Sequence, residues 1–202
     1  MTRLRSPEGE PGSKDALMRA IRSRHPRFRE AVIADARITA RFRGERSEFT
    51  STLDTIVQVL RLILMTDAFL AQVAYRAKAR MQALGIPVLP RIAHRIAMMT
   101  AQVSIGDPVI VHPGVYIVHG QVVADGIAEV HSGAVLFPWV TIGLIGPELT
   151  GPTIGQNAQI GSGARVLGKV RVGANARIGA NAVVLDDVPD GATAVGIPAR
   201  VV

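Results

Sequence analysis

"PTIGQNAQIGSGARVLGKVRVGANARIGANAVV", residues 152–184, places an aliphatic residue at Ile154, Ile160, Val166, Val172, Ile178 and Val184, every sixth position without a miss. Glycine follows at Gly155, Gly161, Gly173 and Gly179, and a small residue sits four places on at Ala158, Ala164, Ala176 and Ala182. A period of six matches neither the 3.6 residues of a helical turn nor the strict alternation of a strand. It matches a parallel β-helix, in which each flat face is one short strand and a turn follows every six residues. One branched aliphatic per turn points inward and stacks on its counterparts above and below. The residue after it is expected to take an unusual turn conformation, which glycine and asparagine tolerate best.

The register extends back through Ile142, Leu136, Val130 and Ala124, then slips by one residue to Ile117, Val111 and Ile105. Glu148 falls where an inward aliphatic is due, so "LIGPELTGPT", residues 144–153, reads as a loop thrown out of the coil. Three hexads per coil give about four to five coils. A prism with flat sides invites trimerisation, with clefts between copies where a site could form.

The first half reads differently. Leu17, Ile21, Phe28, Val32 and Ile38 recur at helical intervals, Ser51 or Asp54 can cap "TIVQVLRLILM", and "TDAFLAQVAYRAKARMQAL" ends at Gly85. Pro87 and Pro90 then break the chain before a short helix, "RIAHRIAMM". The expected division is a flexible segment over 1–13, an α-helical domain over 14–100 used for packing or assembly, and a β-helix over 101–202. His25 and His94, in the helical half, read as surface or capping residues.

Almost half of the 202 residues are hydrophobic, which excludes a disordered chain. There is no cysteine, so disulfides, thiolate metal sites and a cysteine nucleophile are excluded, and a cytoplasmic protein is expected. The longest apolar stretch, Ile56 to Met65, is interrupted by Gln58 and Arg61 and is too short to span a bilayer, so no membrane partner is expected. Residues 1–100 hold 18 Lys and Arg against 9 Asp and Glu, whereas residues 101–202 hold 5 against 7. The arginines are spread along helical faces without interleaved aromatics, so no nucleic-acid partner is expected.

The segment "PTIGQNAQIGSGARVLGKVRVGANARIGANAVVLDDVPDGATAVGIPARVV" resembles the C-terminal region of bacterial serine acetyltransferases, within the hexapeptide-repeat acyltransferases. The likeness is specific from Val103 to Val202, and the helical half leading into "AQVSIG" is similar in placement to that family's N-terminal domain. It implies an α+β chain: an N-terminal α-helical domain followed by a left-handed parallel β-helix. It also implies transfer of acetyl from acetyl-CoA to the hydroxyl of L-serine, a step towards cysteine, in a homotrimer or a dimer of trimers. The family's histidine base falls, by resemblance, on His119 of "YIVHG". Imidazole's ordinary pKa lies near neutral pH, so it can take the hydroxyl proton directly. The resemblance assigns the cofactor to Gly143, Gly161, Ser162 and Arg177, and the acceptor to a cleft near Ser104, Phe137 and Trp139. No metal is implied. No tail follows "GIPARVV", so no tail-mediated complex with the next enzyme, cysteine synthase, is expected.

Three departures qualify the likeness. Val118 and Ser104 stand where the family has carboxylates, and Gly151 stands where it has a second histidine. Asp107, Asp125 or Glu129 are the candidates to orient His119 instead. The replaced positions leave open an acetyltransferase acting on another small hydroxyl compound, and a silent or metal-binding scaffold; they also weaken any expectation of cysteine inhibition. His112 and His131 fall one rung apart on one edge, but without a third ligand and without the spacing of the three-histidine zinc sites in the carbonic anhydrases that resemble this fold.

Overall fold

A computed structural model describes residues 11–202. Five helices come first: α1 Pro11–Arg24, α2 Phe28–Phe42, α3 Thr52–Met65, α4 Phe69–Ala83 and α5 Leu89–Ala101. Of the segment expected to be flexible, 1–10 lies outside the described residues, and residue 11 already opens α1. The residues read at helical intervals from Leu17 to Ile38 fall on two helices, α1 and α2. Ser51 caps α3 as expected, its side chain accepting from the Asp54 N–H at 3.1 Å. Gly85 takes the left-handed conformation (φ 70°) just past α4. Pro90 falls inside the first turn of α5, where its missing N–H costs nothing, so the final helix starts earlier than the two prolines suggest.

From Ser104 onward the chain is a parallel β-solenoid with three faces. The first face stacks Ser104–Ile105, Val123–Ala124, Thr141–Gly143, Arg165–Leu167 and Val183–Val184. The second stacks Ile110–Val111, Ile127–Val130, Thr150–Ile154 and Arg171–Val172. The third stacks Tyr116–Ile117, Val135–Leu136, Gln159–Ile160, Arg177–Ile178 and Thr193–Gly196, finished by the antiparallel Ala199–Val201. Every aliphatic of the expected register, from Ile105 to Val184, is 3% exposed or less. At about 1.5–3 kcal/mol for each fully buried branched side chain, this inner stack is the main stabilising term of the column.

Two details of the repeat differ from expectation. The glycines after the inward aliphatics do not have positive φ; the left-handed residues lie two places further on, at Asn157, Gly163, Asn175 and Asn181. Glycine is needed at the first position for space. A Cβ on Gly155 would stand 2.6 Å from the Gly173 carbonyl carbon, and one on Gly161 would stand 2.7 Å from the Ile178 oxygen. The second detail is the excursion, which is shorter than 144–153: its last residues already form the strand Thr150–Ile154, paired with Ile127–Val130 through a register shift.

The helices and the column share one core, with Ala68, Ala71, Ala74, Tyr75, Ala97 and Ala101 packed into the same apolar cluster as the inner stack. The first coil has no rung beneath it, and α4 satisfies its carbonyls. Gln72 donates to Val115 O at 2.6 Å, Tyr75 to Val109 O at 2.8 Å, Lys78 to Ile105 O at 2.6 Å, and Arg76 to Val111 O and, at 2.8 Å, to His112 O. Arg76 also grips buried Asp35 of α2 at 2.8 and 3.1 Å, and Asp35 accepts the Gly114 N–H at 2.8 Å. His25 is not a surface residue: both ring nitrogens are buried without a partner among the described residues, and the ring tilts against Tyr75. Burial first, then the charges of Arg76 and Lys78, hold its pKa down to about 4.

Replacing Arg76 with Ala leaves the buried Asp35 carboxylate without its counter-charge and the Val111 and His112 carbonyls without their donor, and should lower unfolding stability by about 3–5 kcal/mol in urea titrations. His25 gives a pH signature. Its folded pKa lies below the unfolded value of 6.5, so its contribution is complete above that pH and is lost as pH falls towards about 4. Allowing for the ring's partial contact with solvent, the loss should be roughly 1–2 kcal/mol. Unfolding curves should show the acid loss reduced by that amount in His25→Leu.

Candidate functional site

The corner between the third face and the first gathers most of the residues singled out in the sequence. Successive coils there differ by the extra residue seen as the register slip: Ile117 to Ala124 is seven positions, and the pairing Ile105↔Ala124 sets a 19-residue coil. The surplus residue is absorbed by a tight turn in which His119 (φ 59°), Gly120 (φ 103°) and Gln121 (φ 54°) are all left-handed. Gly120 abuts Ala101 at the end of α5, where a Cβ would collide with the Ala101 backbone, and the Gln121 N–H donates to Ala101 O at 2.7 Å. The helical half therefore shapes the turn that presents His119.

His119 is 69% exposed and its Nδ1 lies 2.8 Å from the Asp67 carboxylate, itself 68% exposed. Asp67 stands two residues before α4, and Thr39, Arg43, Met65, Phe69 and Tyr116 line the small hollow around the pair. With Asp67 accepting from Nδ1–H, Nε2 is the nitrogen left to take a proton. The three carboxylates expected from sequence are engaged elsewhere. Asp107 pairs with Lys78 at 2.9 Å, Asp125 accepts from the Gly126 N–H at 2.8 Å, and Glu129 bonds His112 at 2.6 Å and Arg24 at 2.8 Å. Sequence reasoning missed Asp67 because it lies 52 residues from His119, in the helical half. Its one available signal was a carboxylate at a helix start, which ordinarily reads as capping.

Phe137 and Trp139 occupy the same corner one coil further on, Trp139 with 61% exposure, and Gly161 and Ser162 follow one coil beyond that. Ser104 lies at the start of the first face, beside a hollow lined by Lys78, His94, Asp107 and Asp125. Gly143 and Arg177 are not brought to this corner: Gly143 ends a first-face strand at the next corner, and Arg177 points outward from the third face. Val118 spends its N–H on Leu136 O, at 2.9 Å. Gly151 is buried, and a Cβ there would stand 3.1 Å from Ala128 Cβ and 3.2 Å from Asp125 O, so this backbone leaves little room for the histidine that the resemblance led us to expect.

Residues 151–186 match the family model described as "Bacterial transferase hexapeptide (six repeats)". The serine acetyltransferase of Synechococcus elongatus is 36% identical over 146 residues, which cover 71% of this chain and 60% of that protein, so the chain spans less than two thirds of that relative's length. Soybean serine acetyltransferase complexed with serine aligns with a TM-score of 0.73 at 31% identity, covering 89% of this chain and 71% of that one. A serine acetyltransferase solved in complex with CoA aligns with a TM-score of 0.72 at 25% identity, covering 98% and 79% respectively. At 31% identity over 71% of the soybean enzyme's chain, with helices followed by a hexapeptide-repeat column, the chain belongs to the serine acetyltransferase family.

Proposed function

We propose that this chain transfers an acetyl group from acetyl-CoA to a small hydroxyl acceptor, L-serine in the first instance, with His119 as general base. The observation that carries the reading is the His119–Asp67 pair in the corner turn, which holds the imidazole by Nδ1 and leaves Nε2 for the acceptor. Nε2 takes the hydroxyl proton as the oxygen attacks the thioester carbonyl carbon. The carbon–sulfur bond then breaks, and the proton passes from His119 to the departing CoA thiolate, with no acyl-enzyme required. On the cofactor side, Gly143 is informative in a way that Gly161 is not. An added Cβ at Gly143 would meet Leu167 at 3.5 Å and Thr141 at 3.8 Å, both ordinary contacts, so packing does not demand glycine there and the bare backbone is available to a pantetheine arm. Arg177, outward on the third face, is the cation assigned to the nucleotide phosphates; like Gly143 it lies away from the His119 corner of its own chain, so a cofactor held there would meet the His119 of a neighbouring copy.

Trp139, exposed on the corner that carries His119, favours a homotrimer in which a neighbouring copy covers it and completes the cleft. The cysteine-free composition suits the cytoplasm as its compartment. A second reading rests on Val118, Ser104 and Gly151: with the family's carboxylates and second histidine replaced, and Phe137 and Trp139 filling the corner, the acceptor is a different hydroxyl compound.

Release of free thiol from acetyl-CoA, followed with L-serine and with a panel of sugars and hydroxylated metabolites, separates the two. Turnover with serine supports the first reading and turnover only with other acceptors the second; silence with all of them sinks both. His119→Ala should reduce the productive reaction by about 10²–10⁴-fold. Asp67→Asn should cost only about two- to fivefold in kcat, because both partners face solvent and such a pair contributes about 1 kcal/mol or less. That is far below the roughly 10⁴-fold lost when a buried orienting carboxylate is removed.

A further inference from the structure

A second cluster of ionisable groups lies on the corner between the second face and the third, and acetyl transfer makes no use of it. Pairing of Val111 with Val130 puts His112 directly against His131, and their rings stack with centroids 4.6 Å apart and planes 9° from parallel. The next rung carries Gly155 at the equivalent place, so no third side chain continues the stack. Glu129, pointing outward from the same rung as His131, turns one carboxylate oxygen to both rings: Oε1 lies 2.6 Å from His112 Nε2 and 3.7 Å from His131 Nε2. One ligand atom from each of the three residues falls within 4.8 Å of the others.

We propose that His112, Glu129 and His131 form a binding site for a divalent transition-metal ion of the zinc type. A tetrahedral ion with bonds of about 2.0–2.1 Å needs donor atoms roughly 3.4 Å apart. The 2.6 and 3.7 Å spacings to Glu129 Oε1 bracket that value, and rotation of the Glu129 and histidine side chains would bring the three donors around one ion. Two imidazoles and a single carboxylate suit a borderline ion such as Zn²⁺ and not Mg²⁺ or Ca²⁺, which take oxygen ligands almost exclusively. Arg24 holds the other Glu129 oxygen, Oε2, at 2.8 Å, orienting the carboxylate from outside as metal-site partners commonly do. All three side chains are partly open to solvent, at 33%, 22% and 39% exposure for His112, Glu129 and His131, which leaves an entry path and a fourth position for water. The spacing of 112 and 131 supplies the stack; the third ligand comes from the outward-facing position of the paired strand.

Isothermal titration of the full chain with ZnCl₂ should give one equivalent bound per chain, and CoCl₂ should give the visible absorption of low-symmetry, near-tetrahedral cobalt. Glu129→Gln and the double variant His112→Ala/His131→Ala should each weaken zinc binding by about tenfold or more while circular dichroism stays unchanged, and His94→Ala should leave it unaltered. MgCl₂ should give no comparable heat. Absence of zinc binding overturns the proposal, as does binding that survives the double variant; a preference for magnesium overturns the assigned class of ion.

Discussion

The column stands on a layer of side chains that replaces the missing rung below its first coil. A parallel β-helix satisfies its backbone by pairing each coil with the next, and the end coil is an open sheet edge. Here Gln72, Tyr75, Arg76 and Lys78, close together along α4, donate to carbonyls of that coil, while Asp35 from α2 accepts two of its amides. These groups are almost wholly buried, and each charge meets an opposite charge or several backbone dipoles. A buried ion pair is a weak source of net stability, but its geometry is demanding, so it fixes how the helices sit on the column.

That docking carries through to the chemistry. Asp67 lies two residues before α4, and Ala101 ends α5. Once α4 is seated on the first coil, Asp67 arrives beside the turn that holds His119, and the end of α5 presses on Gly120 and Gln121 in the same turn. Val118 stands where the sequence resemblance led to the expectation of a carboxylate beside His119, and the carboxylate that meets this imidazole comes from the helical half. With both partners exposed, the pair orients the imidazole less firmly than a buried one would and is screened by salt.

The 19-residue first coil shapes both corners described above. Its surplus residue enlarges the turn between the third face and the first, where three successive left-handed residues bring His119 out of the wall. The same offset places His131 over His112, which the 18-residue spacing of the later coils would not do. The outward presentation of His119 at one corner and the paired imidazoles at another thus share a single irregularity in the repeat.

How far the sequence reached follows from the range of the interactions involved. The inner stack was legible because each contact repeats at a fixed spacing and one residue type serves every rung; from Ile105 to Val184 the register held, including the slip. Ser51, Gly85 and the glycines beside the stack were legible as markers, though the glycines answer to the closeness of the next rung and not to an unusual φ. Hidden from it were contacts that join distant segments once: Asp67 with His119, Asp35 with Arg76, Glu129 with the histidine pair, and the burial of His25 against Tyr75. A periodic pattern is written locally and many times over, so the sequence by itself determined the column and its corners. Single polar contacts between remote segments leave no repeat to read, and only the seating of the helices on the first coil decided which charges meet.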